Sequence, residues 1–470
     1  MGSHSGMNTL DGLGGLHLVA VLAAICLLLV PTGATAQDEA PHLLTLEQAM
    51  RLALERNPAV GVALTGAEAA RYSLEGQQAR RLPTLSFDAS ARISESLSRT
   101  AVVGGDTIRT GGGRSESSDV QLTLSHTFYQ SGRDEAISEA RQRTRASELG
   151  IDDTVRRLLA DVAATFHGVL AQQELAEVAD RAVSAAQLHL DLVDARIEAG
   201  TVAPADRLAV EAALADAEFE AVRTVNAVWT RLADLQALLA LPTDELPVIR
   251  GELDAPSVTG DLEEWVAEAL EMRPDLQAQR HRLRATELSL RQAEIDAGLT
   301  MSVQGQADYG RHTGNTGETW FIGGGLSFPL FNKQARASVD RAEADLESVR
   351  QTLAEQELSV SRQVAGAWYT LRDAIGRVEA AGVSVAASAT NLEAARGRYA
   401  EGVVTIIEVT DAELSWRRAQ ANLVQARFDR NVAWYQLLAA AGRPLVDEAV
   451  EDDSDAPAAT DELNAETVGD

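Results

Sequence analysis

Thr84-Leu85-Ser86-Phe87-Asp88-Ala89-Ser90-Ala91-Arg92-Ile93-Ser94 alternates strictly, with Leu85, Phe87, Ala89, Ala91 and Ile93 on one side and Ser86, Asp88, Ser90, Arg92 and Ser94 on the other. Successive side chains of a strand point to opposite faces, so this period of two predicts a strand over about 84–94. Three further stretches repeat the pattern. Over about 119–129, Val120, Leu122, Leu124 and Phe128 oppose Gln121, Thr123, Ser125 and Thr127, and His126 interrupts the apolar row. Over about 300–311, Met301, Val303, Ala307 and Tyr309 oppose Ser302, Gln304, Gln306 and Asp308. Over about 319–330, Trp320, Ile322, Gly324, Leu326 and Phe328 oppose Phe321, Gly323, Gly325 and Ser327. Strands of about 10 residues, apolar outside and polar inside, fit a membrane β-barrel. A small soluble sandwich alternates in the same way, so the flanking sequence has to separate the two.

Those flanks are helical and very long. Residues 131–199 contain no proline and place Val155, Leu158, Val162, Phe166 and Val169 at steps of three and four; residues 333–401 behave alike. At 1.5 Å per residue each would span roughly 100 Å, which implies a coiled-coil-like bundle rather than a globular core. The helices on either side, 58–81 and 204–241, together match the long one and can stack end to end beside it. Two isolated hairpins carried on such helices bury no sandwich core, which favours lipid as the environment of their apolar faces. Trp320, Tyr309 and Phe128 near strand ends fit an aromatic girdle. Four strands cannot close a barrel, and an open edge in hydrocarbon leaves backbone groups unpaired, so other subunits must complete it.

The whole arrangement occurs twice. Leu46-Glu47-Gln48-Ala49 matches Leu262-Glu263-Glu264-Trp265, and Pro58 falls at the same distance from its entry as Pro274 does from the second. Further along, Leu124 matches Leu326, Gly200 matches Gly402 and Asp206 matches Glu408, all three pairs at one common, slightly shorter spacing. The difference falls in one loop, the Gly/Ser/Thr-rich 94–118 of the first half, whose Gly111-Gly112-Gly113 reads as a flexible extracellular loop. The expected organisation is therefore repeat 1 over 37–250 and repeat 2 over 251–446.

Composition removes other functions. Asp+Glu 70 against Lys+Arg 41 gives a net charge of −29, which disfavours nucleic acid as a partner. The single lysine, Lys333, lacks the glycine run of a phosphate loop, and the single Cys26 excludes a disulfide framework and a cysteine zinc site. The eight histidines are scattered without ligand spacing, and no Gly-x-Ser-x-Gly marks a hydrolase, so no metal, cofactor or enzymatic activity is expected. Residues 1–36 read as a secretory signal, with an apolar run from Leu16 to Val30 and Ala34-Thr35-Ala36 before Gln37. Residues 447–470 carry ten acids and no base and are expected to be a disordered tail.

With these elements in place the chain resembles the TolC-type outer-membrane efflux proteins over about residues 43–445. The opening Leu46-Glu47-Gln48-Ala49…Asn57-Pro58, the passage Ser327-Phe328-Pro329-Leu330-Phe331…Arg336 and the elbows at Gly200 and Gly402 carry the likeness. The resemblance implies a mainly α fold with a β-barrel contribution: a homotrimer whose 12-stranded barrel in the outer membrane of a Gram-negative bacterium continues as an α-helical periplasmic tunnel. It implies a passive exit duct of a tripartite efflux or type I secretion system, coupled to an inner-membrane transporter through a periplasmic adaptor. A structural or adhesive coiled-coil protein with a barrel anchor is the alternative; an anchor at one chain end would favour it, whereas hairpins fall in both halves.

In such a duct the elbows form the periplasmic entrance gate. By motif position Glu408 and Asp411 resemble its acidic ring, Tyr399 the tyrosine of its latch and Asp206 the acidic partner of that latch. The best-defined latch in the family has an arginine where this chain has Val404, which implies closure through hydrogen bonds from Tyr399 instead. A plainer reading stands beside this one: Thr405-x-x-Glu408 is a capping box, and Pro204 with Asp206 fits an ordinary first helical turn. Capping does not account for Asp411.

Overall fold

The computed structural model describes residues 43–254, 260–295, 298–312 and 315–445. The expected signal segment and acidic tail lie outside the described residues. The chain divides into Met1–Leu43 and Leu44–Asp470, and the second unit holds every element below. Its principal elements are α1 (Leu46–Arg56), α2 (Pro58–Ala79), β1 (Thr84–Ser96), β2 (Arg99–Val103), β3 (Asp106–Thr110), β4 (Gly113–Gln130), α3 (Arg133–Glu198) and α4 (Pro204–Leu238). The second half follows with α5 (Leu262–Met272), α6 (Pro274–Ile295), β5 (Thr300–His312), β6 (Asn315–Ser327), α7 (Lys333–Ala400) and α8 (Ile406–Ala441).

Local chemistry sets the helix boundaries. Thr45 opens α1 with a complete capping box, its Oγ1 accepting from the Gln48 N–H while its own N–H donates to Gln48 Oε1. At the next junction the Asn57 Oδ1 accepts from Ala59 N–H, and Pro58 supplies a first helical residue whose missing donor costs nothing. The Asn57 amide also donates to the Leu238 carbonyl at 2.8 Å, fastening the end of α4 to the start of α2. The second half repeats the fastening with different chemistry. Arg273, the counterpart of Asn57, donates to the carbonyl of Ala440, the counterpart of Leu238, at 3.2 Å. Arg273 is buried and also holds Gln363 Oε1 (2.9 Å) and both oxygens of Asp275 (3.0 and 2.7 Å).

The helices pack as a wall. Helix α3, 66 residues long, lies against α2 and α4 of its own half and against α6 and α8 of the other; α7, 68 residues long, lies against α6 and α8. Among the described residues three apolar clusters hold them. One centres on Phe166, Val169, Met50 and Leu235, a second on Trp265, Leu371 and Leu437, and a third on Val193, Val210, Tyr399 and Val409 beside the elbows.

The four main strands form one antiparallel sheet in the order β1-β4-β5-β6, which joins the two halves through β4 and β5. The Gly/Ser/Thr-rich loop expected over 94–118 is instead mostly strand. β1 runs on to Ser96, β4 begins at Gly113, and β2 and β3 make a hairpin that turns at Gly104-Gly105, φ +65° and +95°. Two consecutive residues of positive φ are what a two-residue hairpin turn needs, and β-branched residues flank them in Val102-Val103 and Thr107-Ile108. Composition concealed this alternation. A bulge between Thr127 and Tyr129 brings Tyr129, rather than Phe128, opposite Met301.

Candidate functional site

The sheet has two unlike faces. The register aligns Phe87, Leu122, Ala307 and Trp320 in one row and Leu85, Leu124, Gly305 and Ile322 in the next. Nothing among the described residues covers them: Phe87, Trp320 and Ile322 are 68%, 77% and 75% exposed. From Tyr309 to Met301 this apolar face extends along β5 for about 27 Å, or about 20 Å of height at the tilt usual in barrels, close to the lipid-facing band of such structures. The opposite face aligns Asp88, Gln121, Asp308 and Thr319. These residues, with Asp119 and Gln306, line a hollow of 660 Å³, in which Gln306 donates to both Asp308 oxygens (3.0 and 2.8 Å).

The two elbows are built alike. Gly200 (φ +72°) and Gly402 (φ +76°) follow α3 and α7, and their N–H groups donate to Ile197 and Tyr399 carbonyls at 2.9 and 3.1 Å. The next residues, Thr201 and Val403, donate back to the carbonyls of Arg196 and Arg398. A left-handed residue at this position closes a helix and satisfies its last carbonyls, which a side chain would oppose.

Around the second elbow the expected residues are differently engaged. Tyr399 is buried, but its hydroxyl has no hydrogen-bond partner among the described residues, so the expected latch to Asp206 is not formed within the protomer. Asp206 sits half-buried in the first turn of α4. Instead the Arg196 guanidinium lies 4.2 Å from the Tyr399 ring centroid and donates to the Tyr399 carbonyl at 3.4 Å, joining α3 to the end of α7. The capping box is not made either. Thr405 occupies the cap position without a side-chain bond, and Glu408 pairs with Arg398 at 2.5 Å across the elbow. Asp411, one turn on, is exposed and has no ion-pair partner among the described residues. Val404 packs on the elbow cluster.

Sequence reading passed over His189 and Glu413. Their Nε2 and Oε2 atoms lie 2.6 Å apart, with only 12% and 14% of the side chains exposed, and Arg396 of α7 approaches the other Glu413 oxygen at 3.4 Å. Burial opposes ionisation of Glu413, but His189 and Arg396 outweigh it and hold the carboxyl below the usual carboxylate range. The signal was positional: Glu413 falls on the inward stripe of buried Ile406 and Val409 and half-buried Trp416, and His189 on that of half-buried Ala182 and Ala186 and buried Val193. Beside the pair is a cavity of 250 Å³ walled largely by alanines. Among the described residues no cluster of three His, Cys, Asp or Glu side chains could hold a metal, and no helix is long and apolar enough to cross a membrane.

A sequence profile of outer membrane efflux proteins matches residues 49–241 and 265–443. The pyoverdine export outer membrane protein OpmQ of Pseudomonas putida is 26% identical over 338 residues, covering 69% of this chain and 71% of that protein. The toluene efflux pump outer membrane protein TtgI of the same species is 25% identical over 405 residues, 83% of each. Among solved structures, CusC, studied for its transmembrane channel formation, superposes with a TM-score of 0.72 at 17% identity, over 85% of this chain and 92% of that one.

Proposed function

The chain belongs to the outer membrane efflux protein family, and from that premise we propose that three copies form a passive exit duct across the outer membrane, serving an efflux or secretion system. One observation carries the reading: a four-stranded sheet, apolar on one face and acidic on the other, ends in two open edges. In hydrocarbon each unpaired backbone group costs several kcal/mol, and three such sheets joined edge to edge give a closed 12-stranded wall. The helices support the same closure. On the α2/α4 side Tyr72, Phe219, Val222 and Trp229 are exposed; on α7 so are Leu358, Tyr369 and Val383. Two different apolar edges that meet head to tail generate a ring.

By the resemblance, a periplasmic adaptor and an inner-membrane transporter are its partners, the elbows with Gly200 and Gly402 form its entrance, and Asp206 and Tyr399 lie at that gate. Three copies of Glu408 and Asp411 around one axis would attract cations and narrow the opening. Light scattering of the purified protein in mild detergent is expected to give about three times the mass of one protomer; a monomer with its sheet signal intact refutes the reading. In planar bilayers Glu408→Ala/Asp411→Ala is expected to lower cation selectivity, and unchanged selectivity would remove those two residues from the entrance.

A further inference from the structure

We propose that His189 and Glu413 form a proton-sensitive clamp between α3 and α8, one that tightens when the surrounding solution turns acidic and so favours the resting entrance. The proposal rests on the conduit reading above. His189 lies eleven residues before Gly200 and Glu413 eleven residues after Gly402, so the contact spans the two helical pairs about 16 Å from each elbow. At 2.6 Å and nearly out of solvent, it must break whenever α3 and α8 separate.

The strength of that contact depends on a proton. A neutral imidazole gives the ionised carboxylate a hydrogen bond assisted by one charge only. A protonated one keeps that bond and adds the attraction of two opposite charges held largely out of solvent. The groups facing the pair are Asp216 from α4, Arg396 from α7, and Thr410 and Arg417 from α8. Two acids, Asp216 and Glu413, stand against two guanidiniums, so the imidazole's own charge decides the local balance. Glu413 stays ionised in mild acid because its partners hold its carboxyl below the usual range despite burial. Both side chains of the pair line the 250 Å³ cavity alongside, whose other walls are largely alanines. The neighbouring ties, Arg398 to Glu408 and Arg196 to Tyr399, contain no histidine and supply no such response near neutrality.

The test is single-channel recording of the full chain in planar bilayers with both sides buffered at pH 8 and then at pH 5.5. Wild type is expected to lose open probability by about fivefold on acidification, the ratio that one partly shielded ion pair supplies. His189→Gln keeps a donor but cannot gain a charge; it should match wild type at pH 8 and stay there at pH 5.5. Glu413→Gln should be equally unresponsive. A His189→Gln channel that still closes in acid, or a wild type that does not, overturns the clamp. Amide exchange over 186–196 and 406–416, corrected for intrinsic rates, gives a second readout: protection should rise in acid in wild type alone, and equal protection in His189→Gln refutes the proposal. Absence of any wild-type conductance would refute the duct itself, whereas loss of only the pH response refutes the clamp alone.

Discussion

Replacing Arg273 with methionine removes the fastening between the end of α8 and the start of α6 while nearly preserving side-chain volume. Arg273 is 3% exposed and serves three partners at once: the Asp275 carboxylate, Gln363 and the Ala440 carbonyl. Removing one member of a buried ion pair leaves the other charge uncompensated, at about 3–5 kcal/mol. The lower end applies here, because Asp275 is 21% exposed and keeps the Leu276 N–H at 3.0 Å. A loss of about 3 kcal/mol is roughly a hundredfold in equilibrium. Trp265 and Trp434 meet edge to face in the adjoining cluster, at 6.5 Å, so tryptophan fluorescence during guanidinium unfolding of the detergent-solubilised protein reports on this junction. Adding Asp275→Asn to Arg273→Met discharges the orphaned partner and should recover more than half of the loss. A double variant no more stable than Arg273→Met, or a single-variant cost under about 1 kcal/mol, would refute the assignment of the loss to an uncompensated charge.

Two further predictions concern the sheet and the first core. Ile322→Arg puts a charge in the middle of the apolar band and should cost about 2–4 kcal/mol of membrane stability, whereas Phe321→Arg, one residue away on the polar face, should assemble normally; the yield of heat-modifiable oligomer on gels measures both. His167 is buried, stacked near Tyr435 and bonded to the Ala163 carbonyl, and burial holds its imidazole below the ordinary range despite that bond. The unfolded chain therefore takes up a proton that the folded one resists, so stability should fall as pH drops below about 6.5. His167→Gln should flatten that slope in thermal melts between pH 7 and 5.

The period of two in Thr84–Ser96 and the unbroken period near 3.6 in α3 and α7 were legible because each pattern persists for many residues and nothing local competes with it. The hairpin of β2 and β3 was not, because it sits inside the Gly/Ser/Thr-rich stretch 94–118 while the decisive fact, two adjacent positive-φ glycines, is conformational. At the elbows the turn glycines were legible, but the partners were not. Thr405-x-x-Glu408 satisfies a local rule, yet Arg398 across the turn captures the carboxylate. Likewise Tyr399 and Asp206 matched by position, while Arg196, named by no motif, took the tyrosine ring. Pairings between helices from opposite halves of the chain depend on rotation about each helix axis, which a periodicity fixes only for residues on the buried stripe.

The unequal fastenings of the two halves have a consequence for how the wall gives way. Asn57 holds its seam with a neutral amide that no proton alters, while Arg273 holds the equivalent seam with a guanidinium that the Asp275 carboxylate positions. Burial alone would push Asp275 up, but Arg273, with Arg156 and the Leu276 N–H, holds it below the usual range, so its contribution persists until strong acid, below about pH 4, and then disappears. If three such chains assemble as proposed, neutral rivets and rivets positioned by a titrating carboxylate would alternate around the circumference. Strong acid should then loosen every second joint first, so that the two halves of each chain, alike at neutral pH, would part company before the whole wall collapses.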